Sequence, residues 1–198
     1  NWAGASDIDG LSDCLVEDNS IYMGNDPSVT TDTAQYNVAV GTTALDAVTT
    51  GDNNVCIGYD AGTNITRAYN SVCIGAYAGD AMDTVRDDSG ANVLIGYNAG
   101  PAYDRMRGTF VGSQSGSTQV EGSNPTYIGA DCTSAGTNND RETVIGGEAP
   151  GQGSHCMSLG ATSITTLYSQ NTSITGYSSD ERTKENVEDL DMKGLEFI

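Results

Sequence analysis

Apolar positions along most of this chain recur in one short form: a branched residue, a mostly apolar residue, a large aliphatic residue and then glycine. Val55-Cys56-Ile57-Gly58 is one copy. Aligned copies place the glycine at 24, 41, 58, 75, 96, 112, 129, 146 and 160, with successive intervals of 17, 17, 17, 21, 16, 17, 17 and 14. The residue before the glycine is always large and aliphatic, from Met23 and Val40 to Ile145 and Leu159. Three before it stands Ile21, Val38, Val55, Val72, Val93, Thr109, Thr126, Thr143 or Met157, mostly β-branched and so suited to a pleated strand.

Side chains alternate across a strand, so the first and third slots share a face and the slot between them points the other way. The pattern predicts that the Val/Ile slots line the inside of the fold. The intermediate slot (Ala39, Cys56, Cys73, Leu94, Phe110, Tyr127) then forms an outer seam covered by neighbouring subunits. On that assignment Phe110 and Tyr127 would widen a trimer axis, and the column Thr109, Thr126, Thr143 is internal, which argues against an ice-binding role. Three residues after each glycine the side chain is nearly always small, as in Ala44, Ala61, Ala78 and Ala99, so something packs closely there. A glycine kept at this spacing marks a backbone needing positive φ or close approach. A period near 17, shorter than the usual 20 to 50 of solenoids, fits short strands and tight turns in each coil.

The repeated Asn-x-[Ala/Cys]-[Val/Ile]-Gly-x-x-Ala, seen in Asn37 to Ala44, Asn54 to Ala61 and, with Leu94, Asn92 to Ala99, resembles the head repeat of YadA-like trimeric autotransporter adhesins and related phage tail fibres. The resemblance spans roughly residues 19 to 163. It implies an all-β fold, a left-handed parallel β-roll or β-solenoid of about nine short coils, with three chains packed about a threefold axis. Fold alone does not fix an activity.

Four regions are expected: an N-terminal cap or junction over 1–18, the β-roll head over 19–163, a β stalk over 164–177, and a distinct start at 178. Ser178-Ser179-Asp180-Glu181-Arg182-Thr183-Lys184-Glu185-Asn186-Val187 resembles the opening of the endosialidase-type intramolecular chaperone domain, truncated here at Ile198. Members of that family trimerise phage fibres and spikes and then cut themselves off. The resemblance implies that Ser179 is the nucleophile attacking the Ser178 carbonyl and that Lys184 is the base, with Ser178-Ser179 the scissile bond. A lysine serves as base only when desolvation lowers its pKa. The competing account of the same residues is a helix N-terminus capped by Ser179, with Asp180 and Glu181 in its first turn.

Composition sharpens this picture. Among 198 residues there are 25 Gly, 2 Phe and 1 Trp, thin material for a single-chain globular core. Stacked coils that share apolar faces with copies of themselves are the alternative. A net charge of −19, from 27 acidic and 8 basic side chains, argues against nucleic acid and anionic membrane surfaces. No apolar run approaches a membrane span, and the start at Asn1 without a signal peptide leads us to expect an upstream part. Asp7 to Gly10 and Asp83 to Asp88 are rich in carboxylates, yet neither has the ligand spacing of a known calcium loop. No cofactor is implied.

Five cysteines match no zinc pattern. Cys56 and Cys73 fall in the same slot of adjacent coils, about 4.8 Å apart if the strands stack. That separation permits a disulfide, and buried thiols are the simpler account. His155 is the only histidine, so no metal site built on several histidines can form, and it is expected to be a surface or turn residue. Asn64-Ile65-Thr66 and Asn171-Thr172-Ser173 match the N-glycosylation triplet, relevant only in a eukaryotic producer. The long interval between Gly75 and Gly96 places four extra residues in the Asp83 to Ser89 segment, a surface loop in which Asp83, Arg86, Asp87 and Asp88 are the candidate receptor contacts.

These features lead to the expectation of a homotrimeric, extracellular viral tail-fibre segment. It would join an upstream fibre or virion protein, bind a host cell-surface glycan or protein, and turn over no substrate apart from single-turnover self-cleavage. The alternatives are a cell-surface trimeric adhesin head and a polysaccharide-degrading tailspike. The latter needs paired carboxylates in a groove, and the acidic residues here fall in turns without consistent register.

Overall fold

The computed structural model describes residues 14–24, 27, 29–82 and 90–163. They form a β-solenoid with one short strand per turn. After β1 (Cys14–Glu17) come β2 (Ser20–Met23), β3 (Val38–Val40), β4 (Val55–Ile57), β5 (Val72–Ile74) and β6 (Val93–Ile95). The file continues through β7 (Thr109–Val111), β8 (Thr126–Ile128), β9 (Thr143–Ile145) and β10 (Met157–Leu159). Sequence order and sheet order coincide: β2 to β10 pair in parallel, each with the next, and β1 lies antiparallel on β2. Equivalent slots face one another across every junction, as in Val38↔Val55↔Val72↔Val93.

The glycines stand in a vertical file because nothing else fits. Gly58 has φ +137°, and a Cβ on it would lie 2.7 Å from the carbonyl carbon and oxygen of Gly75 in the coil above. The chain there turns out of the strand while the Gly75 N–H still reaches the Ile57 carbonyl at 2.8 Å. Both reasons anticipated for a fixed glycine, positive φ and close approach, apply at one position.

Four positions before the glycine runs a buried polar ladder. The Asn54 N–H donates to Asn37 Oδ1 (2.9 Å) and the Ser71 N–H to Asn54 Oδ1 (3.0 Å), while Asn37 Nδ2 and Asn54 Nδ2 donate to the carbonyls of Gly51 and Ala68 (both 2.7 Å). Ser20 opens this file and Asn92 extends it to the Gly108 N–H at 2.8 Å. Each amide therefore satisfies one backbone donor of the next coil and one acceptor across the turn, where both are buried away from solvent.

The interior is the reverse of the sequence expectation. Tyr22, Ala39, Cys56, Cys73, Leu94, Phe110, Tyr127 and Val144, the intermediate slot, are fully buried inside the roll. The Val/Ile slots face outward, and Val40, Ile57, Ile95, Ile128 and Ile145 keep 36–39% of their surface. The inner column meets the small residues Ala44, Ala61, Ala78, Ala99 and Ala149 from the opposite wall, together with Val48, Ile65, Met82 and Tyr103 seven positions after the glycine. Phe110 and Tyr127 thus widen no axis. They stack on each other inside the roll at 5.3 Å, with Tyr103 at 4.8 Å from Phe110. Room for them comes from Gly100 and Gly116, whose counterparts in the two coils before are Gly62 and Gly79.

Candidate functional site: the outward sheet face

Because the inner slot already fills the roll, the V-x-I pattern leaves a second apolar surface with no partner among the described residues. Eleven aliphatic side chains from β3 to β9, two per strand apart from the three threonines, form one continuous outward face. Thr109, Thr126 and Thr143 belong to this face and are partly exposed, so they are not internal as expected. Scattered exposed apolar residues need no explanation, whereas a contiguous ordered file of them is a candidate interaction surface.

Left-handed corners bound the face at both ends of each strand. One edge, five positions before the glycine, carries Tyr36, Asn53, Asn70, Ala91, Arg107, Asn124, Arg141 and His155; the other, two positions after it, carries Thr43, Asp60, Tyr77, Asn98, Gln114, Asp131 and Glu148. All of these have φ between 52° and 63°. Asn and Asp tolerate that conformation best, which accounts for their frequency there. Tyr59, Tyr77 and Tyr97 form an edge-to-face row at ring separations of 5.4 and 5.9 Å along the second edge. The Tyr59 hydroxyl is held above its ordinary pKa by its hydrogen bond to Asp60 and that residue's charge.

A second unusual cluster is buried near the C-terminal end of the roll. Glu142 occupies the slot of the asparagine ladder and is fully buried. Its Oε2 accepts from Tyr127 Oη (2.6 Å), Ser134 Oγ (2.7 Å) and Asn139 Nδ2 (3.2 Å), and its Oε1 from the Gly153 N–H (2.6 Å). Burial pushes this carboxyl up, but the bonds from Tyr127, Gly153, Ser134 and Ala135 outweigh it and bring the pKa below its ordinary value. Burial, reinforced by Glu142, raises the Tyr127 phenol far above its usual range. With every oxygen occupied, the cluster has the character of a structural clasp closing the last coils.

Cys56 and Cys73 are free and buried, and burial together with the neighbouring Cys73 sulfur raises the Cys56 thiol well above its usual value. Such a thiol is unreactive. His155 is exposed in a turn. Among the described residues no group of three or more His, Cys, Asp or Glu side chains is placed to hold a metal ion. The expected receptor residues Asp83, Arg86, Asp87 and Asp88, and the expected self-cleavage residues Ser178, Ser179 and Lys184, lie outside the described residues, as do the stalk over 164–177 and the carboxylates of Asp7 and Asp9. No protein-family model, curated protein or solved structure matches the chain.

Proposed function

We propose that this chain is a structural and host-attachment segment of a homotrimeric viral tail fibre. In this proposal the outward Val/Ile faces of three rolls pack about a common axis and the surface turns and loops meet a receptor on the host cell. The 178–198 segment opens a chaperone domain that assists trimerisation, with Ser179 and Lys184 carrying self-cleavage at Ser178-Ser179. The single observation supporting the assembly is the unpartnered aliphatic file on a roll whose interior is already full. Six of its side chains, Val38, Val40, Ile57, Ile95, Ile128 and Ile145, keep 36–39% of their surface, and full burial of one aliphatic chain is worth about 1.5–3 kcal/mol, so association recovers roughly 0.5–1 kcal/mol for each. Summed over these six, that is roughly 3–6 kcal/mol per protomer before association costs, and the five less exposed aliphatic chains add to it.

Sedimentation equilibrium of the chain tests this directly. Ile57→Asp together with Ile95→Asp, both outward, should convert a trimer into a folded monomer with unchanged far-ultraviolet circular dichroism. A monomeric wild type at micromolar concentration would refute the assembly. Attachment is checked separately by binding of labelled protein to host cells without release of reducing sugar ends; sugar release would favour a depolymerising spike.

A further inference from the structure

The buried cluster around Glu142 holds more chemistry than a clasp requires. In the coils of Gly41, Gly58 and Gly75 the position seven after the glycine is Val48, Ile65 or Met82, and the ladder is carried by the amides of Asn37 and Asn54. Near the C-terminal end three different groups meet instead: the Gln119 carboxamide, the Ser134 hydroxyl and the Glu142 carboxylate, all buried. Ser134 Oγ stands 2.8 Å from Gln119 Oε1 and 2.7 Å from Glu142 Oε2. Tyr127 Oη lies 2.6 Å from Glu142 Oε2 and 3.3 Å from Gln119 Oε1. Asn139 Nδ2 donates to Ser134 Oγ at 2.7 Å and fixes the hydroxyl in place. Each hydroxyl has a single proton, and a carboxylate only accepts. With the Ser134 proton on Glu142 and the Tyr127 proton on the Gln119 carbonyl, every oxygen is served. That arrangement is a nucleophile on its base, in contact with a polarised acyl group.

We propose that Ser134 and Gln119 join in an intramolecular ester, a covalent link between two adjacent coils that the folded chain makes by itself. The link lies inside one chain, so it forms whether or not copies associate. Glu142 takes the Ser134 proton as Oγ adds to the Gln119 carbonyl carbon, and the carbonyl electron pair moves onto Oε1, where the Tyr127 hydroxyl receives it. The C–N bond then breaks, Glu142 returns the proton to the departing nitrogen, and one ammonia leaves. An amide and an alcohol have become an ester and ammonia, with nothing oxidised or reduced. Gln119 Nε2 is held by the carbonyls of Glu121 and of Asn139 (3.1 Å for the latter), two partly exposed residues, so the leaving group faces a way out. Dilution of ammonia into solvent drives the step forward, and burial keeps water from the ester. Glu142 is ionised at neutral pH, because its hydrogen bonds bring its pKa below the ordinary value despite burial, and so it is free to accept the proton. Contact between the reacting groups within a packed interior stands in for a high concentration of alcohol.

The test is the intact mass of the full chain, kept folded at neutral pH and then unfolded for measurement. Wild type should lose the mass of one ammonia, and a sample kept in urea for the same time should not. Proteolysis after Glu121 and Glu142 normally parts Gln119 from Ser134. In the folded and aged protein the two peptides should stay joined, and hydroxylamine should separate them and leave a hydroxamate at Gln119. Ser134→Ala, Gln119→Met and Glu142→Gln should each keep the full mass of their sequence, with circular dichroism as the check on folding; where a variant does not fold, the wild-type measurements decide. Folded wild type that retains its full mass overturns the ester. So does an ammonia loss that persists in Ser134→Ala or maps to an asparagine. A link that forms equally fast in folded Glu142→Gln overturns the part assigned to that carboxylate.

Discussion

Replacing Gly58 by alanine isolates the most demanding feature of the stack. Alanine at φ +137° occupies a region essentially reserved for glycine, at a cost of about 1–3 kcal/mol. The new methyl would stand 2.7 Å from two backbone atoms of Gly75, which cannot rotate away. Separating the coils to relieve it strains the bond from the Gly75 N–H to the Ile57 carbonyl, and overpacking of this kind costs about 1–3 kcal/mol more. The expected loss is therefore roughly 2–6 kcal/mol, or a fall in Tm of roughly 5–20 °C for an ordered unit of this size. Gly136→Ala is the matched control, because its methyl would meet nothing nearer than Asn139 Nδ2 at 3.7 Å and its φ lies outside the left-handed region. That substitution should be neutral or should stabilise by up to about 1 kcal/mol through the unfolded state. Thermal and urea unfolding followed by circular dichroism at one fixed protein concentration compares them without an oligomerisation artefact. If Gly58→Ala falls within about 0.5 kcal/mol of Gly136→Ala, the glycine file is not the steric constraint described.

Three further outcomes follow from the interior. Asn54→Ala strands the Ser71 N–H and the Ala68 carbonyl, bonded at 3.0 and 2.7 Å in the intact ladder, and should cost about 2–4 kcal/mol in urea unfolding. For Glu142 the folded pKa is lowered, so its contribution is complete above the unfolded carboxylate value of about 4.3 and drains away as pH falls through the folded value. The Tm difference between wild type and Glu142→Gln should accordingly be largest near neutral pH and shrink in acid; a difference that grows in acid contradicts the clasp. Cys56 and Cys73 should resist a thiol reagent in the native protein and react fully once it is unfolded, and native-state labelling at either position would place them elsewhere than the roll interior.

The repeat, its glycines and the close-packed alanines were legible because each is imposed by a local backbone demand that recurs at every coil. Which apolar face turns inward was not. Val55, Cys56 and Ile57 are all apolar, so alternation says only that the middle residue opposes its neighbours. Size does not decide it either: the inner slot takes Ala39 and Cys56 against Ala44 and Ala61, yet it also takes Leu94, Phe110 and Tyr127, so no property of the triplet alone marks the inward side chain. Hydrophobicity alone points to the larger side chains as core, which inverted the assignment and carried the threonine column with it. The second inner column, Val48, Ile65, Met82 and Tyr103, holds no common residue type and so gave no signal beyond its constant offset from the glycine. The Glu142 cluster was hidden for another reason: Tyr127, Ser134 and Asn139 precede it by 15, 8 and 3 positions, a constellation assembled only by stacking, although a carboxylate standing in an asparagine slot was itself a visible departure.

Between Gly75 and Gly96 the chain takes four residues more than elsewhere, yet β5 and β6 pair as Val72↔Val93, Cys73↔Leu94 and Ile74↔Ile95, with the same one-to-one match as every other junction. The register of the stack is thus independent of the number of residues between its strands. A change of length at that point therefore need not propagate into the neighbouring coils, which is why one interval of 21 can stand among intervals of 17 without breaking the file.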